Sequence, residues 1–195
     1  MIVSPLMTKS PLKNIQYFSR RDIMPNKKDI LWKIESGVVR VTTWLEDGTI
    51  IPLGIWGPGD IVSKNLSGCD PYQIECLLKV EAIMIPISEY QGLQEVLLKH
   101  ILEVEKLMLI RGNKKVETML YQLLNWLAIK FGLDVENGKK MINLGLTHQD
   151  LAELIGATRV TITRSLSQLE QQGLIQRLNW HRIVLSDVDI WHYEI

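Results

Sequence analysis

Hydrophobic positions change their period near residue 88. Before it, apolar residues come in short alternating or continuous runs: VVRVTTW over 38–44, TIIPLGIW over 49–56 and VEAIMIPI over 80–87. β-Branched residues dominate these runs and turn residues separate them, so each predicts a strand. Glu46-Asp47-Gly48 lies between the first two and predicts a hairpin turn, because glycine tolerates the positive φ of a tight turn. Gly57-Pro58-Gly59-Asp60 predicts a second stop, where proline withholds a ladder donor and the glycines permit a sharp change of direction. Several short strands at this spacing predict a small antiparallel roll or barrel.

After Ser88, Leu93, Leu97, Ile101, Val104 and Met108 recur at intervals of four and three, predicting a long amphipathic helix with a heptad-like seam. Leu98, Leu102 and Leu107 add a second stripe, more apolar surface than one contact with the helix's own sheet would use. The same helix of a second subunit is the expected cover, and burial of both stripes inside a monomer is the alternative. Val116, Leu120, Leu123, Leu124 and Leu127 continue the helical pattern past Gly112 to Lys130-Phe131-Gly132, where Gly132 suits the C′ position. Glu136-Asn137-Gly138 then makes a polar turn. The expected organisation is a sensor-like unit over 1–87, a dimerisation helix over 88–112, a connecting helix over 113–137 and a last domain over 138–195.

The last domain holds the most informative segment, THQDLAELIGATRVTITRSLSQLEQQGLI (147–175). Thr147 with Asp150 three positions on predicts a capped short helix through Ile155, which Gly156 breaks. Thr158 caps a second helix running to about Gln172, ended by Gly173. Two helices joined at a glycine, with small Ala152 where they approach, form a helix-turn-helix. With Arg159 set at 0° and roughly 100° per residue, Ile162, Leu166 and Leu169 fall at roughly 300°, 340° and 280°, a compact core stripe. Arg159, Val160, Thr163, Arg164 and Ser167 fall on the opposite side. A solvated valine is an ordinary surface residue; Val160 beside a thymine methyl in a major groove would be a reader. The run LIQRLNWHRIVLS alternates around Asn179-Trp180-His181 and predicts a hairpin, or wing, from which Arg177, His181 and Arg182 reach phosphates; a hairpin that only covers the helix pair is the bland alternative.

Charge first points away from such a partner. The chain carries 22 Lys+Arg against 22 Asp+Glu, a formal net charge of +0 at pH 7. Residues 1–87 hold ten basic and nine acidic groups, 88–137 six and seven, and 138–195 six and six. Within 155–184, however, Arg159, Arg164, Arg177 and Arg182 face Glu170 alone, and so local a cluster biases encounter with DNA whatever the total. Cys69 and Cys76 are the only cysteines, too few for a disulfide scaffold, a zinc knuckle or a four-thiolate cluster, and are expected to be reduced thiols in a cytoplasmic protein. No basic segment followed by an apolar run opens the sequence and no stretch of about 18 apolar residues occurs, so neither secretion nor membrane insertion is expected.

The segment 147–175 resembles the transcription regulators of the cyclic-AMP receptor/fumarate–nitrate reduction regulator (Crp/Fnr) superfamily. A second anchor is IESGVVRVTTWLEDGTIIPLGIWGPGDIV (34–62), similar to that family's roll hairpin with its Gly-Pro-Gly-Asp turn. The resemblance implies an α+β fold: a small antiparallel, jelly-roll-like sensor roll, a long dimerisation helix and a C-terminal winged helix-turn-helix on a palindromic double-stranded DNA site. It places Arg159 and Arg164 at base- or phosphate-contacting positions. With Val160, Thr161, Thr163, Ser167, Thr147, Thr158, His148, Arg177, His181 and Arg182, they make up the expected DNA-binding set. Val160 departs from members with Glu there, and T-R-V-T-I-T-R (158–164) is similar to the recognition helix of cyanobacterial global nitrogen regulators. Cyclic-nucleotide-binding members have a Gly-Glu pair and later an Arg-Ser/Thr/Ala pair. The corresponding IVSKNLSGCDPYQIECL (61–77) has neither, so a buried phosphate would lack its cation. His100 is the only histidine before residue 148, which makes haem sensing weak. The roll is expected to be shortened, with its first strands missing or degenerate. No cofactor or metal is expected, and the effector is an unknown small molecule, a protein, or none. A protein-interaction adaptor using the helix pair is a competing class. A cupin-like enzyme is the least favoured, since residues 1–87 contain no histidine to ligate a metal.

Overall fold

The computed structural model describes residues 14–179 and 181–186. Two four-stranded sheets make the N-terminal roll from β1 (Ile15–Phe18), β2 (Ile23–Met24), β3 (Ile30–Ser36), β4 (Val39–Trp44), β5 (Ile50–Trp56), β6 (Ile61–Val62), β7 (Gln73–Cys76) and β8 (Val80–Pro86). The orders are β1-β8-β3-β6 and β2-β7-β4-β5, with every pair antiparallel. The three apolar runs became β4, β5 and β8. The first strands, expected to be missing or degenerate, are present but short, β1 with 4 residues and β2 with 2. Period-two alternation sends Val39 and Val41 of β4 into the core between the sheets with Trp32, Ile34, Ile74 and Ala82. It leaves Arg40 on the opposite face. The hairpin turn forms as predicted, with Gly48 at φ 83° and the Leu45 amide donating to the Thr49 carbonyl at 3.0 Å.

Helix α1 (Leu93–Arg111) follows the roll, and α2 (Val116–Phe131) follows a short break. Then come β9 (Leu133–Asp134), β10 (Lys140–Ile142), α3 (His148–Ile155), α4 (Arg159–Gln171), β11 (Ile175–Asn179) and β12 (Arg182–Leu185). A third antiparallel sheet has the order β11-β12-β10-β9. It therefore includes Leu133 and Asp134, which the sequence left with the connecting segment. Leu120, Leu123, Leu124 and Leu127 of α2 share one core with Leu151 and Leu154 of α3 and Leu166 of α4, and that core runs on to Val38, Ile55 and Leu77 of the roll.

Along α1, Val96, Leu107 and Ile110 turn inward. Leu107 was expected in the second outward stripe; at 3% exposure it belongs instead to the core beneath α1. The rest stays outside: Leu97, Leu98, Ile101, Leu102, Val104 and Met108 are all exposed, and Leu93 is half-buried. Gly132 differs from expectation too. Its φ is −69°, so it uses no left-handed freedom. It is glycine because a Cβ would lie 2.3 Å from the Ala128 carbonyl oxygen.

Where α1 and α2 meet the roll, the His100 ring stacks on Trp56 with centroids 3.9 Å apart and shares a 2.7 Å hydrogen bond with the Ile61 carbonyl. The Lys130 ammonium lies 4.8 Å from the Trp56 ring centroid and pairs with Glu103 at 2.8 Å and Asp60 at 3.5 Å. Burial pushes the His100 pKa below its ordinary value and the positive Lys130 and Lys99 add to this, against the Ile61 hydrogen bond and the Asp60 charge. A ring depressed in the folded state binds fewer protons there than in the unfolded chain. Its contribution to stability is complete above the unfolded value, about 6.5, and is lost as pH falls through the depressed value. Urea melts between pH 7.5 and 5.5 should therefore show a steeper loss for the wild type than for His100→Phe, which keeps the stack without the proton; parallel slopes would contradict this.

Candidate nucleic-acid interface

The predicted helix pair forms with the predicted caps. At the start of α3, the Thr147 hydroxyl accepts the Asp150 amide at 3.1 Å while the Asp150 carboxylate accepts the Thr147 amide at 2.7 Å, a closed capping box. Gly156 ends α3 in the left-handed region at φ 71°. Thr158 caps α4 by accepting the Thr161 amide at 3.2 Å. Ala152 is fully buried where the helices meet, and its carbonyl accepts the Ala157 amide.

Ile162, Leu166 and Leu169 of α4 are buried at 0–1% exposure, matching the angular reading. On the other side Arg159, Val160, Thr163 and Arg164 are exposed, Val160 to 60%, while Thr161 and Ser167 are half-buried. Thr163 donates its hydroxyl to the Arg159 carbonyl and Ser167 to that of Thr163, at 2.9 and 3.2 Å. The His148 ring lies 2.9 Å from the Thr163 hydroxyl; burial first, then the charges of Arg177 and Arg159, lower its pKa and favour the neutral ring. Thr147, half-buried, has its hydroxyl committed to the capping box, where it donates to Asp150 at 2.8 Å.

The wing forms from β11 and β12; Trp180 lies outside the described residues. Arg177 is held by Glu170: its Nε donates to the carboxylate at 2.8 Å and its amide at 2.9 Å. Those two charges cancel. Arg159, Arg164 and Arg182 are exposed and form no ion pair among the described residues, so they carry the local positive excess. His181 is exposed, its ring 3.5 Å from the Leu146 carbonyl. Of the sequence-predicted set, Thr147, His148, Arg159 and His181 line one surface cavity, Thr163 joins them through His148, and Arg177 is turned onto α4 by Glu170.

What the sequence missed is how this unit is held. Arg40 of β4 is 7% exposed and donates to Glu75 of β7 at 2.7 and 3.1 Å, to Asp150 at 2.8 Å and to Glu153 at 3.0 Å. Arg21 completes the cluster, 2.7 Å from Glu75 and 3.3 Å from Asp150. Burial alone would raise the pKa of Glu75, but hydrogen bonds from Arg21 and Arg40 outweigh it and hold the carboxyl below its ordinary value. Asp150 is likewise lowered, its burial outweighed by the Thr147 hydrogen bonds and by the two guanidinium charges. At the other end of α3, Arg111 donates to the Leu154 carbonyl at 2.8 Å and to that of Pro52 at 3.1 Å. The one available signal was a charged residue inside an apolar strand run, VVRVTTW.

A cavity of about 180 Å³ opens between the roll and α1, walled by Val41, Leu53, Trp56, Val104, Met108 and Arg111 among others. The 61–77 stretch that lacks arginine is therefore not the whole wall. Among the described residues no cluster of three potential ligands could hold a metal ion, and no helix is long and apolar enough to cross a membrane.

Residues 118–189 match the Crp-like helix-turn-helix domain. The chain is similar to regulatory protein CysR of Synechococcus elongatus, 37% identical over 90% of this chain and 86% of that protein. It is more distantly similar to transcriptional activator protein FnrL of Cereibacter sphaeroides, 24% identical over 83% of this chain and 71% of that one. Its fold matches the structure of FixK2 from Bradyrhizobium japonicum with a TM-score of 0.75, 19% identity and coverage of 89% and 92%.

Removing the cap of the recognition helix should cost stability without DNA present. Thr158→Ala is expected to lose about 1 kcal/mol in chemical denaturation, and Thr158→Asn, which can still accept the Thr161 amide, much less; equal losses would show that the cap contributes nothing.

Proposed function

This chain belongs to the Crp/Fnr family of transcription regulators, which bind DNA through a helix-turn-helix and typically dimerise, and we propose that it acts as a cytoplasmic homodimer reading a palindromic promoter site. The observation that carries this is the two-faced α4: Ile162, Leu166 and Leu169 buried, Arg159, Val160, Thr163 and Arg164 presented together. In a major groove, the Arg159 guanidinium hydrogen-bonds the O6 and N7 acceptors of a guanine, and the Val160 methyls touch the thymine methyl one step away. Arg164, Arg182 and the hydroxyls of Thr158 and Thr161 face phosphates, which position the helix without reading sequence. His148 supports Thr163 from behind. Leu97, Ile101, Val104 and Met108 of α1 supply the subunit contact, an exposed stripe at heptad-like spacing on a helix whose inner face is already packed.

The effector is left open between a small molecule, a protein and none; among small molecules, the cavity between the roll and α1 suits one of limited charge. Arg111, the arginine at the cavity, already donates to two backbone carbonyls, so a buried phosphate would have to break those bonds to be compensated.

Arg159→Ala should weaken binding to the cognate duplex by about 1–3 kcal/mol per affected base pair and abolish the preference for guanine there, while Arg182→Ala should weaken all sequences evenly and reduce the salt slope by about one. Binding measured by anisotropy across a base-substitution series checks both. Unchanged guanine preference in Arg159→Ala, or affinity insensitive to salt, would overturn the reading.

A further inference from the structure

We propose that Arg40, on the sensor roll, is a positioning residue for DNA binding: by holding Asp150 and Glu153 of α3 it fixes where the recognition helix sits, and so the separation of the two helices in a dimer. The inference rests on the proposed reading of a two-fold site by two subunits.

Arg40 is the second residue of β4, directly across the ladder from Glu75 of β7, and alternation with the core residues Val39, Val41, Ile74 and Cys76 turns both away from the roll's interior. That register places one guanidinium edge on Glu75 and leaves Nη1 free to reach α3, where it donates to Asp150 and Glu153 together. The two contacts lie one turn apart on the same face of a short helix, so they fix its rotation as well as its distance. Helix α3 transmits this to α4 through a tight turn, and the pair shares one core. The recognition helix thus has its position set from the roll, through a side chain that never approaches DNA.

Loss of the guanidinium would do more than loosen this contact. Three carboxylates, Glu75, Asp150 and Glu153, converge on Arg40, and the cation that remains, Arg21, has a side chain 39% exposed and contacts only two of them. The docking face would then be held apart by like charges in a partly buried site. The helix pair itself should survive, because Asp150 keeps its hydrogen bonds to the Thr147 amide and hydroxyl. The expected defect is one of placement: each half-site is still read, but the spacing between half-sites is no longer enforced.

The test is binding of full-length protein to duplexes carrying two cognate half-sites with a spacer varied one base pair at a time. Folding is followed by circular dichroism and dimerisation by sedimentation. Wild type should show a single spacing optimum, falling by about tenfold on either side, and Arg40→Met should flatten it to within about threefold while the base preference at the Arg159 position is retained. If Arg40→Met does not fold, the triple variant Arg40→Met, Glu75→Gln, Glu153→Gln removes most of the stranded charge and should give the same flattened profile. A sharp wild-type optimum in either folded variant overturns the proposal. A wild-type protein that binds none of these duplexes overturns the DNA-binding reading itself, and this inference with it.

Discussion

One carboxylate, that of Asp150, is used twice. It closes the capping box that starts α3, and it is the point where the roll's Arg40 and Arg21 take hold of the DNA-binding unit. A buried charge cluster of this kind is a poor source of net stability, because desolvation offsets much of the attraction. Its value is geometric: guanidinium and carboxylate planes meet in few orientations, whereas an apolar face tolerates sliding. The apolar core that runs from α2 to Val38, Ile55 and Leu77 brings the two halves together, and the ionic cluster fixes how they meet. Arg111 repeats the arrangement at the far end of α3, so the helix is pinned to the rest of the molecule at both ends.

This division of labour explains how a chain with no net charge serves a polyanionic partner. Many of its charges are spent internally, in Arg40 with its carboxylates, Lys130 with Glu103 and Asp60, and Arg177 with Glu170. The arginines left outside are Arg159 and Arg164 of α4, exposed with Val160 on the same helix, and Arg182 of the wing. Long-range attraction from so few cations is modest, which shifts the work of binding toward the specific contacts of α4. The outer stripe of α1 is the apolar counterpart, exposed because the inner face already packs through Val96, Leu107 and Ile110.

Local signals were the legible ones. The caps at Thr147 and Thr158, the breaks at Gly156 and Gly173 and the buried stripe of α4 follow from spacing within a few residues, and all appear in the structure. Non-local features were not legible. β1, β2 and β6 are too short to show a period, and β9 joins its sheet through partners that no turn signal announces. Leu107 fits either stripe of α1 by periodicity, and packing against the core chose for it. Arg40 and Asp150 lie 110 residues apart in sequence, and a single chain gives no sign that they touch. Gly132 was anticipated for the wrong reason: helix ends suggest a left-handed glycine, whereas here the neighbouring carbonyl leaves no room for a Cβ.

The proposed function rests on two copies of α4 reading a symmetric DNA site through Arg159 and Val160. Selection of bound duplexes from a random pool, with the full chain at physiological salt, tests it most directly. Enrichment of a palindrome whose half-sites each contain a GT step is expected, guanine for Arg159 and thymine for Val160. Enrichment of sites without that step, of single unpaired half-sites, or of no sequence at all would contradict it.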